Sequence, residues 1–313
     1  MVSIATPWMW SIFFCLIFFC IFIDIFLMGR YTSHRISGRE ALIWTGTWFT
    51  LALLFNGFLW IYLNETQTLA VANQKSLEFF TGYLIEKSLS VDNIFVIYMI
   101  FHYFSIPVMH QKRVLIYGVL GAIFLRLLFI TLGISLINEF HWVLYVFGIF
   151  LVITGVKMIF SREKALSLPD TLLFKLLQRF CRISHVLSDG KFFIRQHGAR
   201  YLTPLFLALI FIEVSDIVFA IDSIPAIIAI TRDPFIIFTS NVFAILGLRA
   251  LYYFLAHLNE KFKYLKYGLA CILMFVGAKM LLEPWFAIPV LMSLGVVVLM
   301  LLLSIVLSIR FSR

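Results

Sequence analysis

Apolar runs of about 20 residues, broken by short polar and mostly basic segments, recur along the whole chain. Nine are long enough to cross a bilayer: 8–28, 41–62, 79–101, 114–136, 141–160, 204–230, 235–256, 266–282 and 286–309. About 20 apolar residues span the hydrocarbon as a helix. An open strand would leave unpaired backbone groups in lipid, so the runs must be helical. The pattern predicts an all-α polytopic membrane protein with about nine transmembrane helices. The run 8–28 has no basic segment ahead of it and no small-x-small cleavage site, and it carries Asp24. It reads as a retained span and not as a removed signal peptide.

Charge fixes the expected orientation. With the N-terminus outside, the cytoplasmic segments hold Arg30, Arg35 and Arg39; Lys112 and Arg113; eight basic residues between 161 and 200; Lys261, Lys263 and Lys266; and Arg310 and Arg313. That makes 18 basic residues inside, against Lys75 and Arg232 outside. Such a bias predicts N-out and C-in, and a miscounted span would scramble it. Only 13% of the 313 residues are charged and 62% are hydrophobic, against about 25% charged in soluble domains. A soluble protein with a large core is excluded, because the charges cluster between the runs. The net charge of +9 therefore reads as topology, with membrane lipids as partner and no nucleic acid. The four cysteines show no CxxC spacing, so neither a disulfide framework nor a zinc site is expected.

Five segments follow: two leading helices over 1–78, a three-helix unit over 79–160, a cytoplasmic linker over 161–203, a second three-helix unit over 204–283, and a final helix with a short tail over 284–313. In the linker, Asp170 can cap a helix to about Ile183. Its Lys175, Gln178, Arg179 and Arg182 would share one face, away from Leu173, Phe174, Leu177 and Phe180, which suits an anionic leaflet. The three-helix units read as a repeat. Gly121-Ala-Ile-Phe-Leu-Arg126 answers Ala244-Ile-Leu-Gly-Leu-Arg249, Gly155-Val-Lys157-Met answers Gly277-Ala-Lys279-Met, and Asp92 answers Asp216, at offsets of 123, 122 and 124 residues. Three spans per unit force the second copy to enter from the opposite side. Spans 3–5 and 6–8 therefore form an inverted-topology repeat, a plan typical of secondary transporters with midplane sites.

Carboxylates inside the apolar runs are the candidate chemistry. Glu86 and Asp92-Asn93 lie in span 3; Glu213, Asp216 and Asp222-Ser223 lie in span 6. A charged side chain at the bilayer centre costs several kcal/mol, about 2.5–3.5 on insertion scales, so five carboxylates in two spans call for a function. At about 1.5 Å per residue, Asp92 and Asp216 lie roughly 20 and 18 Å into their spans from opposite faces. Glu213/Asp216, Asp216/Ser223 and Glu86/Asn93 each share a helix face. Pro225 frees the carbonyl of Ile221, which predicts a kink or an unwound turn. Carboxylate, amide and hydroxyl oxygens with no nearby histidine suit a hard divalent cation, not zinc. The expected ligand set is Glu86, Asp92, Asn93, Glu213, Asp216, Asp222 and Ser223. Lys87, Arg126 and Arg249 read as structural counter-ions. If all are ionised, the five acids and three bases leave a residual −2, matched by one divalent cation or two protons. Asp24 reads as an interfacial residue, and Lys157 and Lys279 as snorkelling side chains.

At these motifs the chain resembles the TerC family of integral membrane proteins, most closely its Alx-like branch. The resemblance rests on Gly82-Tyr-Leu-Ile-Glu86-Lys-Ser-Leu-Ser-Val-Asp92-Asn93, on Glu213-Val-Ser-Asp216-Ile-Val-Phe-Ala-Ile-Asp222-Ser223-Ile-Pro225-Ala, and on Thr239-Ser-Asn-Val-Phe-Ala-Ile-Leu-Gly-Leu-Arg249. It implies a bacterial inner-membrane exporter of divalent metal, with Mn²⁺ as the transported ion and protons as the coupling ion. Metal homeostasis and alkaline-pH or tellurium resistance would be its context. No prosthetic group is implied. The competing expectation is a non-transporting membrane scaffold or assembly factor acting through the linker. An enzyme is not expected, since HExxH, GxSxG and a phosphate-binding glycine loop are all missing. The residues leave the oligomeric state open.

Overall fold

The computed structural model describes residues 3–29, 38–140, 142–160, 179, 182–184, 190–196, 199–256, 265–282, 285–286 and 288–311. A few side chains inside helices, those of Asp92 and Asp222 among them, are not described. The linker helix expected over 170–183 lies almost entirely outside the described residues.

Helices dominate: α1 (Pro7–Gly29), α2 (Gly38–Thr66), α3 (Leu69–Tyr103), α4 (Val108–Glu139), α5 (Val143–Phe160), α6 (Pro204–Ile228), α7 (Pro234–Leu246), α8 (Leu248–Ala256), α9 (Leu265–Leu282) and α10 (Val290–Phe311). Each apolar run falls on one helix, except that 235–256 is shared by α7 and α8. Among the described residues, six helices are long and apolar enough to cross a membrane; α5 and α9 carry shorter apolar stretches. An antiparallel hairpin, β1 (Phe193–Gln196) with β2 (Ala199–Leu202), precedes α6 and was not foreseen in the linker.

α7 is the hub. All of its residues from Phe235 to Leu246 are buried, the polar Thr239, Ser240 and Asn241 included. Its Phe235 and Phe243 meet Phe13 of α1 at 5.9 and 6.1 Å, and Phe243 meets Phe55 of α2 at 4.8 Å. Asp233 caps it, accepting from the backbone N–H of Phe235 at 3.0 Å. The same carboxylate accepts from Ser3 Oγ at 3.2 Å and the N–H of Ile4 at 2.9 Å, tying down the start of the chain.

Contacts between helices give their directions. α3 runs alongside α7–α8 in the same sense, with Gly82 against Ser240, Lys87 against Ala244 and Phe101 against Tyr252. α4 runs parallel to α6, with Gly118 on Ile212, Gly121 on Glu213 and Gly133 on Ile224 and Ile228. α2 and α3 are antiparallel, joined from Trp60 Nε1 to Asn73 Oδ1 (2.7 Å) and from Ser76 Oγ to Asn56 Oδ1 (3.0 Å). α5 and α9 cross antiparallel at glycines: a Cβ on Gly277 would lie 2.7 Å from the carbonyl oxygen of Gly148, and one on Gly155 would lie 2.7 Å from that of Ala270.

Two expectations change. α3 begins ten residues before its apolar run, because its polar first turns are satisfied. Thr68 accepts from the N–H of Val71 at 3.3 Å. Glu78 takes Lys75 at 2.7 Å and Thr231 Oγ1 at 2.6 Å. In addition, α6 passes through Pro225 unbroken to Ile228. The break comes at Gly247, where α7 gives way to α8 at φ −83° and ψ 0°. Lys87 Nζ donates to the carbonyl of Ala244 there at 3.2 Å, occupying an acceptor that a helix end leaves open.

Candidate functional site

Glu86 and Asp216 are the middle residues of their helices, with 17 and 12 residues on either side. Between them, from α4, comes Arg126, whose side chain has no exposed surface. Its Nε and Nη2 donate as a fork to Asp216 Oδ2 (3.3 Å) and Oδ1 (3.0 Å). Its Nη1 donates to Glu86 Oε1, to Ser223 Oγ at 3.2 Å and to Asn241 Oδ1 at 3.2 Å. Five oxygens from α3, α6 and α7 thus close round one buried cation. A planar guanidinium suits such bidentate recognition.

Helical spacing accounts for the convergence. Asp216 and Ser223 share a face of α6, as expected, and that face looks at α4. Asn241 was not among the candidates, although an amide inside the apolar run 235–256 was a readable signal. Glu213, three residues before Asp216, packs on Gly121, where any Cβ would overlap its carboxylate. Its Oε2 is buried without a hydrogen-bond partner among the described residues, as is Asn93 Oδ1. Gly121→Ala should therefore cost about 1–3 kcal/mol as an overpacking change. In a double-mutant cycle read by thermal melting, Glu213→Ala should remove most of that loss. An unchanged loss would mean that the glycine serves some other contact.

Asn93 lies outside the arginine's cage but borders two cavities. One, of about 280 Å³, is lined by Glu86, Asn93, Arg126, Thr154, Lys157 and Ser223 among others. The other, about 30 Å³, includes Asn93, Ser215 and Asp216. Both also touch Phe219. Asp92 and Asp222 stand next to Asn93 and Ser223 in sequence, but their side chains are outside the described set. Among the described residues, no three His, Cys, Asp or Glu side chains are grouped closely enough to hold a metal ion. The acids that come together instead hold Arg126.

The other expected counter-ions act elsewhere. Lys87 serves the end of α7. Arg249, one residue into α8 from its start, bonds Asp24 of α1 through its Nη2, at 2.5 Å to Oδ1 and 2.7 Å to the backbone oxygen. Asp24, read from the sequence as interfacial, is thus half of a largely enclosed pair linking α1 to α8. Lys279 is buried, so the snorkelling expectation fails for it; Lys157 is exposed at the 280 Å³ cavity.

This motif-bearing core lies within the part of the chain that matches a known family. The profile of the Integral membrane protein TerC family covers residues 71–313. The chain belongs to the TerC family. It is 50% identical over 295 residues to the "Putative membrane-bound redox modulator Alx" of Escherichia coli (strain K12), covering 94% of this chain and 92% of that protein. It is 48% identical over 311 residues to the protein of the same name from Photorhabdus laumondii, covering 99% and 97%. An "Uncharacterized membrane protein" of Rickettsia bellii is 42% identical over 300 residues, 96% of each chain. No solved structure matches. This TerC chain is therefore an Alx-like, multi-pass membrane protein.

Proposed function

We propose that this TerC protein exports a divalent metal cation, Mn²⁺ by preference, across the bacterial inner membrane in exchange for protons. The observation that carries the reading is the convergence of Glu86, Asp216, Ser223 and Asn241 on one buried cation at mid-helix. Hard oxygens that enclose a guanidinium are the donors that Mg²⁺, Ca²⁺ and Mn²⁺ take. In this reading the remaining motif residues, Asp92, Asn93, Glu213 and Asp222, serve as further ligands or as proton carriers. Cytoplasmic pH would then influence export through these carboxylates.

The helix directions support the inverted repeat. Relating α3, α4 and α5 to α6, α7–α8 and α9 exchanges the parallel pairs α4/α6 and α7–α8/α3. The same relation exchanges the Gly148·Gly277 and Ala270·Gly155 contacts of the α5/α9 crossing. Alternating access would come from one three-helix unit rocking against the other. The Alx relatives are named "Putative membrane-bound redox modulator Alx". Manganese is redox-active, so in this reading such an effect in the host, like alkaline-pH or tellurium resistance, would follow from its metal balance.

The test is elemental analysis of manganese-loaded cells carrying wild type, Asp92→Asn or no protein. Wild type should lower cell manganese while other metals hold steady, and Asp92→Asn should match the empty cells at equal membrane abundance. Three equal cultures would sink the export reading.

A further inference from the structure

We propose that Arg126 is a resident counter-cation that competes with the transported ion for the same oxygens, and that ion binding passes its guanidinium from Asp216 to Glu213. The inference rests on the reading of the cluster as a divalent-cation site, and it specifies how that site is regulated.

Arg126 has only donors, and every one of its described bonds ends on an oxygen suited to a hard cation. A divalent ion held by Glu86 and Asp216 would stand within ~4 Å of the guanidinium, where two cations with little water between them repel by several kcal/mol. The arginine and the ion cannot share the cage. Arg126 must leave, and a buried guanidinium without an anion is strongly unfavourable. The structure offers both room and a partner. The 280 Å³ cavity that Arg126 borders leaves the side chain free volume in which to quit the cage, although Glu213 does not itself line it. Glu213 lies one turn before Asp216 on α6, seated against Gly121 of the arginine's own helix. Its Oε2 is buried with no hydrogen-bond partner among the described residues. Because α4 and α6 run parallel, the transfer carries the guanidinium back toward Gly121, five residues or ~7.5 Å before Arg126 on α4.

With all three acids ionised, the cluster of Glu86, Asp216, Glu213 and Arg126 carries −2 when empty and reaches neutrality only when the divalent ion is bound. Without the ion, Arg126 offsets Glu86 and Asp216 in part. With it, the ion offsets those two acids and Arg126 offsets Glu213. The arginine also keeps the empty cage closed to weakly held monovalent ions, which gain too little from two carboxylates to evict a forked guanidinium.

The experiment is Mn²⁺ titration of the purified full chain in lipid nanodiscs, reading the electron paramagnetic resonance signal of free Mn²⁺. Arg126→Gln should bind Mn²⁺ at least about tenfold more tightly than wild type. Glu213→Gln should weaken wild-type binding by about tenfold and change nothing in the Arg126→Gln background. Equal or weaker binding by Arg126→Gln would overturn the competition while leaving the cation site standing. An equal loss from Glu213→Gln in both backgrounds would make Glu213 a plain ligand and overturn the transfer. If neither wild type nor Arg126→Gln binds Mn²⁺, the cation site itself fails and the inference falls with it. Should Arg126→Gln fail to assemble, Arg126→Lys keeps the charge without the fork. A few-fold tightening is expected of it, and equal or weaker binding would overturn the proposal.

Discussion

Arg126→Gln should be the least stable single variant of the buried cluster, melting with a loss of about 3–5 kcal/mol in the absence of divalent cations. The substitution leaves Glu86 and Asp216 facing each other with no cation between them. Glu86→Gln and Asp216→Asn should each cost less, because one ion pair with Arg126 survives in either. Removing all three charges together should recover most of the loss, since neutral groups of similar shape leave no stranded charge. Added Mn²⁺ should raise the melting temperature of Arg126→Gln more than that of wild type, by the linkage of ligand to stability. The measurement is tryptophan fluorescence during heating of the detergent-solubilised protein. An Arg126→Gln variant as stable as wild type would show that the acids do not depend on the arginine.

The second large effect is expected where α5 crosses α9. Gly277→Ala places a methyl 2.7 Å from the backbone oxygen of Gly148, and Gly155→Ala places one 2.7 Å from that of Ala270. Neither acceptor can swing aside as a side chain would, so the helices must part, at about 1–3 kcal/mol for each substitution. Small residues let helix backbones approach in lipid, where apolar burial gives no drive of its own. The double variant should lose less than the sum, because helices parted by the first methyl leave room for the second. Gly46→Ala on α2, with nothing within 4 Å of its new Cβ, should be neutral or gain up to about 1 kcal/mol from helix propensity. Equal melting temperatures for Gly46→Ala and Gly277→Ala would refute the close crossing.

How much of this was legible in the sequence follows from the range of the interactions. Runs of apolar residues placed the helices, because hydrocarbon demands length and internally paired backbone whatever the tertiary fold. Intervals of three and seven residues put Asp216 beside Ser223 and Glu213 on one face, since helix geometry fixes those relations locally. The long-range pairings were not legible. Nothing near Asp24 in sequence announces Arg249, 225 residues later, and nothing near Asn241 announces Arg126. The early start of α3 was hidden because Asn73, Ser76 and Glu78 look like loop residues until Trp60, Asn56 and Thr231 satisfy them. Local grounds predict a kink or an unwound turn at Pro225, yet the helix continues through it to Ile228. Gly247 takes the break instead, where Lys87 can reach the carbonyl of Ala244. A choice between two breakable points is made by the neighbours, which a linear pattern does not contain.

The tie between the start of the chain and the cap of α7 bears on how the molecule is made. Ser3 and Ile4 are translated about 230 residues ahead of their acceptor, Asp233. Closing so long a loop costs chain entropy only logarithmically, but it cannot happen before Asp233 has been made. Until then α1 waits in the bilayer with Asp24 unpaired by Arg249, and α3 waits with Glu78 lacking Thr231. Arrival of the hub helix therefore completes several polar contacts at once. A chain truncated ahead of residue 233 would leave those groups without their partners, so the polar contacts of α1 and α3 are completed together by the hub and the residues around it.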